Sequence, residues 1–243
     1  MYIDNPMNII ENKTPFIIAI DGPAGAGKTT TAKLAANKLN FIYIDTGAMY
    51  RAVALAAIQN NISIADARAV CELLPRIHIE LQRQNNDQVT LLDGKNVEAA
   101  IRTPEMSKAA SEVSKIPCVR EAMVNLQRTA GLHSKGAVLE GRDIGTVVFP
   151  DAPLKIFLIA SVEARAERRR KDFLAAGSAL DLETLKAQIT DRDHNDSTRA
   201  NSPLLKAMDA VEIDTTNLTI YEQVQIILDL AQQRMKRSEK VAA

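Results

Sequence analysis

The run Gly22-Pro23-Ala24-Gly25-Ala26-Gly27-Lys28-Thr29 decides the reading of this 243-residue chain. It fits the pattern G-x-x-x-x-G-K-[ST], in which backbone N–H groups face phosphate oxygens and glycines let the backbone approach them closely. Lys28 is placed to reach the outer phosphates, and the Thr29 hydroxyl to hold magnesium. The flanks agree with this reading. Phe16-Ile17-Ile18-Ala19-Ile20 is a short apolar run, in part β-branched, that predicts a buried strand, and Lys28 to Leu39 predicts a helix. A loop between strand and helix also has the positive end of the helix dipole at its anion site.

Outward from the loop, Phe41-Ile42-Tyr43-Ile44 predicts a second strand ending in Asp45-Thr46-Gly47, and Tyr50 to Gln59 a helix. The middle of the chain changes period. Ile77-His78-Ile79-Glu80-Leu81 alternates apolar and polar, Asn85-Asn86-Asp87 has turn chemistry, and Val89-Thr90-Leu91-Leu92 runs into the hairpin signal Asp93-Gly94. A small antiparallel sheet therefore interrupts the pattern, followed by a helical stretch from Glu105 to Gly131 broken near Pro117. Strands resume at Gly136-Ala137-Val138-Leu139-Glu140, at the near-continuous apolar run Leu154 to Ile159, and at Val211 to Asp214. Between the last two lie a charged helix, Val162 to Ala176, a break at Gly177 and a second helix from Asp181 to about Arg199. Thr219 and Glu222 form a capping box for a closing helix that lines Ile220, Val224, Ile227, Leu228 and Ala231 along one face.

The expected fold is α/β: a three-layer phosphate-loop fold with a five-stranded parallel sheet, helices on both faces, an inserted antiparallel-sheet subdomain and a helical lid. The core is expected over 16–64, 134–164 and 204–237, the insert over 65–133 and the lid over 165–203, with loose tails at 1–15 and 238–243. Ligands in such a sheet bind at the carboxyl ends of the strands.

Composition narrows the partners. The 30 basic and 30 acidic residues cancel, leaving no whole-molecule field for nucleic acid or a membrane surface. No run approaches the roughly 18 apolar residues of a membrane helix, and the polar start of the chain lacks the apolar core of a signal peptide. Without tryptophan there is little base-stacking surface for single strands. Cys71 and Cys118 stand in unrelated contexts and read as buried or incidental thiols, not a disulfide. These features together point to a cytoplasmic protein, with a monomer as the default state.

Charged residues gather at the expected strand ends. The second strand runs into Asp45, Thr46 and Arg51; the third into Glu140, Arg142 and Asp143. In the later helix Arg192, Asp196 and Arg199 are spaced to share one face, which on its own equally describes an exposed ion-pair ladder. Arg165, Arg168, Arg169, Arg170 and Lys171 form the one dense basic run; Arg165 and Arg169 share a face and rank first for closing over donor phosphates. His78, His133 and His194 show no metal-ligand spacing, and no serine sits in a nucleophile elbow.

The chain resembles the bacterial cytidylate kinases, a family of nucleoside-monophosphate (NMP) kinases, through IDGPAGAGKTT (20–30), DTGAMYRA (45–52), EGRDIGTVVFPDAPLKIFL (140–158) and RDHNDSTRANSPL (192–204). The likeness spans nearly all of 16–235, and the GRDIGTVVFP run is its most specific part. It implies ATP with Mg²⁺ as donor and CMP or dCMP as acceptor, and an NMP-binding role for the insert. Ser111, Arg120 and Asp143 would lie against the cytosine edge. Arg51, Arg142 and Arg199 would hold the acceptor phosphate with Thr46 nearby, and Arg192 and Asp196 the sugar hydroxyls. The donor would lie on residues 22 to 30, Thr30 included, with Arg165 and Arg169. Lys28, Arg142, Arg199 and Arg51 would carry catalysis. Two positions depart from the family pattern: Glu140 replaces an expected aspartate, and Thr29 replaces a common glycine. A kinase of another small acceptor, such as shikimate, is the nearest rival reading, and a nucleotide switch would carry an N-K-x-D motif that this chain lacks.

Overall fold

The computed structural model describes residues 14–84, 87–175, 180–199 and 201–242. Phe16–Asp21 forms β1, Lys28–Leu39 α1, Ile42–Asp45 β2 and Thr46–Gln59 α2. Ala67–Leu73 is α3, followed by β3 (Ile79–Gln84), β4 (Asp87–Leu92), β5 (Lys95–Asn96), α4 (Pro104–Val113) and α5 (Pro117–Leu132). Gly136–Gly141 is β6, Leu154–Ile159 β7, Val162–Ala175 α6, Leu182–Thr198 α7, Val211–Asp214 β8 and Ile220–Ala242 α8.

The main sheet is parallel throughout, in the order β2-β6-β1-β7-β8. Register aligns Asp21 with Gly141 and Phe157, and Asp45 with Glu140, so the ends of neighbouring strands open on one edge. The central strands are apolar on both faces because helices cover both. Ile17, Ala19, Ala137 and Leu139 pack with α2 and α5, while Ile18, Ile20, Val138, Leu154, Ile156 and Leu158 pack with α1 and α8. Period-two alternation divides each strand between two cores. A separate antiparallel sheet, β3-β4-β5, lies between α3 and α4 in the chain, with the left-handed Asp93 and Gly94 making the tight turn from β4 to β5. The capping box before α8 is formed in both directions: Thr219 N donates to Glu222 Oε2 at 2.8 Å, and Glu222 N to Thr219 Oγ1 at 3.3 Å.

Three expectations need correction. First, Cys71 and Cys118 are joined as a disulfide across 47 residues of sequence. Packing α3 against the first turn of α5 brings their Cα atoms to 5.9 Å, inside the range a disulfide spans, a proximity that no local context announces. The cysteines therefore no longer argue for a reducing compartment. Second, α8 continues to Ala242 where a tail is expected from 238; residues 231–242 contain neither glycine nor proline to stop it. Third, α2 starts at Thr46, not Tyr50, because the Asp45 side chain accepts from Ala48 N at 2.9 Å and caps the helix early. The predicted turn at Asn85-Asn86, the break at Gly177 and most of the N-terminal tail lie outside the described residues. Among the described residues no helix is long and apolar enough to cross a membrane.

Candidate active site

The glycine loop takes its shape from backbone that side chains would obstruct. Gly22 has φ 147°, and a Cβ there would come within 2.1 Å of Leu158 O. Gly27, at φ 91°, precedes α1 with no side chain capping the helix, so the first N–H groups of α1 face the loop. Arg165, 4% exposed, stands behind this loop instead of over it. Its guanidinium donates to Ala24 O at 3.2 Å and Ala160 O at 3.0 Å and pairs with Asp193 at 2.6 Å. Through these bonds Arg165 bears on the loop backbone and does not line the cleft, whereas the sequence reading expects it at the donor phosphates. Arg168 reaches Gly25 O and Thr215 from the same helix, whereas Arg169 turns into the cleft.

One cleft of about 230 Å³ opens where the strands end. From the expected set it gathers Ala24, Gly25, Lys28, Thr29, Thr46, Arg51, Ser111, Arg120, Arg142, Asp143, Arg169, Arg192, Asp196 and Arg199. Gly22, Pro23, Ala26, Gly27, Thr30 and Arg165 do not line it. The four loop residues among these shape or flank the loop, and Thr30 is exposed on α1.

Three ion-pair groups organise the cleft. Asp45 accepts from Arg51 at 3.0 Å and from Arg102 at 2.6 Å, so a residue following the small sheet meets the end of β2. Burial would raise the Asp45 pKa, but the two guanidinium groups outweigh it and hold the carboxyl below its ordinary range. Arg102 is in turn held by Glu98, whose carboxylate also accepts from Thr90 N. Asp143 pairs with Arg120 in a nearly dry contact and has Arg199 at 3.9 Å; Tyr50 lies under Arg120 at 5.8 Å. Arg142 donates to Asp196 at 2.8 Å, linking the loop after β6 to α7, with Arg192 at 3.9 Å from the same carboxylate. Asp196 is held below its usual range because Arg142, Arg192 and Arg199 outweigh the cost of its burial.

The field around Lys28 is cationic. Its Nζ donates to Pro23 O at 2.7 Å, and burial, followed by Arg142, pushes its pKa well down. Burial and the facing guanidinium of Arg142 lower Arg192 to about 10. Such crowding of positive charge is costly in an empty site and is relieved by an anion. Glu140, buried beside Lys28, is pushed up by desolvation and by Asp45; Tyr43 OH donates to it at 2.5 Å, and the Thr29 hydroxyl also bonds it. Thr29 and Glu140 thus bring hard oxygen donors together beside the loop, the ligand type magnesium takes when phosphates and water complete its shell. Among the described residues no cluster of three or more His, Cys, Asp or Glu could hold a metal alone.

Asp21, Asp45 as an anchor, Tyr50 and Arg102 are absent from the residues expected by number. The helix-spacing rule has no purchase on Arg102, which reaches the cleft only once the segment after β5 packs beside α2.

A glycine loop between β1 and α1, set in a parallel sheet with arginines converging on it, defines a phosphate-loop nucleotide-binding protein of the small-kinase class. The cytidylate kinase family model matches residues 18–233, and the chain belongs to that family. A cytidylate kinase of Lactobacillus gasseri is 50% identical over 220 residues, which cover 90% of this chain and 95% of the relative. One of Enterococcus faecalis is 51% identical over 217 residues, covering 89% and 96%. Among solved structures, a gluconokinase of Sinorhizobium meliloti superposes with a TM-score of 0.51 at 13% identity, covering 96% of this chain and all of that one, a likeness of fold alone.

Proposed function

We propose that this chain transfers the γ-phosphoryl group of ATP, taken with Mg²⁺, to CMP and dCMP. The observation that carries the reading is the single cleft in which Lys28 and Thr29 of the phosphate loop face Arg51, Arg142 and Arg199 across the strand ends. Family membership supplies the nucleotide class.

The acceptor oxygen of a phosphate monoester is already ionised near pH 7, its second pKa being about 6. No general base is required, and the chemical problem is to hold two anions in line and stabilise charge on the transferring group. Lys28 and the glycine loop bind the donor phosphates, with Arg169 closing from α6. Arg51, Arg142 and Arg199 grip the acceptor phosphate through planar forks suited to pairs of oxygens, with the Thr46 hydroxyl beside them. Asp45 holds Arg51 in place, while Arg142 exchanges Asp196 for phosphate. Asp196, so released, and Arg192 take the sugar hydroxyls. Ser111, Arg120 and Asp143 meet the cytosine edge, where a charged donor–acceptor pair matches an amino group and a carbonyl. Thr29 and Glu140 would hold Mg²⁺, which offsets the phosphate charge when bound. Approach of α6–α7 to the insert excludes water, the competing acceptor. The substrates support a cytoplasmic location.

A panel of acceptors with Mg-ATP tests the assignment. CMP and dCMP are phosphorylated well, UMP less, AMP and GMP poorly. Equal rates on AMP remove the cytosine assignment, and transfer to shikimate without transfer to CMP favours the rival class.

A further inference from the structure

The loop after β6 carries Arg142 and Asp143 into the cleft and then winds into one wide helical turn, Ile144–Val148. Asp143 occupies the position from which a side chain ordinarily caps such a turn, yet it makes no cap. Its carboxylate is turned away, onto Arg120. The cap comes from elsewhere in the sequence. Asp21, the last residue of β1 and 4% exposed, accepts from Ile144 N through Oδ1 and from Gly145 N through Oδ2, each at 2.8 Å. One residue later the chain turns into Gly22 and the phosphate loop.

We propose that Asp21 is a positioning residue for the acceptor side of the reaction: by capping the 144–148 turn from β1 it frees Asp143 for the acceptor base and fixes Arg142 relative to the phosphate loop. The inference rests on the acceptor-side reading of Arg142 and Asp143. Two bidentate-like bonds from one rigid strand to one short turn set the distance between the donor loop and the acceptor loop. In-line transfer is sensitive to that distance, since a misplacement of about 1 Å can cost on the order of 10²-fold in rate.

The surroundings explain how a carboxylate persists there. Burial pushes Asp21 up to about 6, with Asp143 adding to the rise, while the two backbone N–H bonds and Lys28 oppose it. Arg142 also interacts with it, and the aliphatic stem of Lys155 lies beside Gly145. Asp21→Asn removes the buried charge, keeps the shape and keeps one acceptor, so the variant is suited to fold while holding the turn by one bond instead of two.

The test measures KM and kcat for CMP and for ATP in wild type and Asp21→Asn, alongside thermal melts. The expected result is a KM for CMP raised about 10-fold or more and kcat lowered by up to about 10²-fold, with KM for ATP within about threefold of wild type. Unchanged CMP parameters, or equal rises for both substrates, overturn the proposal. Should the variant fail to fold, the Ile144 and Gly145 amide resonances of the wild-type protein decide: they move together with a midpoint near 6 if Asp21 caps the turn, and stay flat if it does not. A wild-type protein inactive on CMP defeats the acceptor reading itself and is distinguished by that control.

Discussion

Cutting Asp143 back to alanine is the sharpest probe of the cleft, because stability and recognition meet in one side chain. Asp143 and Arg120 are each 7% exposed, and Arg199 lies 3.9 Å from the same carboxylate at equal burial. Asp143→Ala therefore leaves two buried guanidinium groups facing each other with no anion between them. Removing one partner of a buried pair costs about 3–5 kcal/mol. In a chain of this size each kcal/mol moves the melting temperature by about 2–4 °C, so a fall of about 6–20 °C is expected. Differential scanning calorimetry measures it directly. The double variant Arg120→Met/Asp143→Leu replaces the pair with apolar groups and removes the loss due to Arg120, while Arg199 still lacks the carboxylate, so it melts between the single variant and wild type. It does not recover binding, since the cytosine edge loses its charged donor and acceptor together; isothermal titration with CMP shows the loss. A single variant that melts with the wild type refutes the dry, mutually dependent pair. A double variant that still phosphorylates CMP at the wild-type rate refutes the placement of the base.

Asp21 predicts a pH signature in stability. Its folded pKa, raised from 3.8 to about 6, means the folded state binds the proton more tightly, so this group's contribution is complete below about pH 4 and is lost as pH rises through 6. The stability of wild type relative to Asp21→Asn, from urea unfolding, falls by about 3 kcal/mol between those limits, and a pH-independent difference contradicts the shift. The Cys71–Cys118 bond predicts that reductant lowers the unfolding free energy by about 2–4 kcal/mol, with no such effect in Cys71→Ser; equal midpoints with and without reductant dispose of the cross-link as a stabilising element.

The fold was legible because its signals are local and agree. The apolar run 16–20, the glycine loop and the helix after it name a strand–loop–helix unit without reference to anything distant. Likewise Asp93-Gly94 announces the small sheet by itself. The site was legible where function demands a residue type at a strand end, as at Arg51, Arg142 and Asp143. It was illegible where direction matters. Arg165 and Arg169 share a helix face by spacing, yet Arg165 is absorbed by Ala24 O, Ala160 O and Asp193 while Arg169 enters the cleft. Spacing of four residues fixes a face to within the width of a side chain and says nothing of which partner a long guanidinium finds.

By itself, then, the sequence determined the phosphate loop, the parallel sheet, the insert and the identity of most cations in the cleft. Each of these follows from short-range chemistry: φ freedom at glycine, period-two and period-3.6 apolar spacing, and helix caps. Only tertiary structure decided that Cys71 meets Cys118, that Arg102 reaches Asp45, and that Asp21 caps a turn 123 and 124 residues further along the chain. Those contacts join segments whose separation along the chain carries no spacing rule. They exist because burying both faces of the sheet forces the segments together, and a buried carboxylate, N–H or guanidinium then takes whichever complementary group the packing has brought within reach.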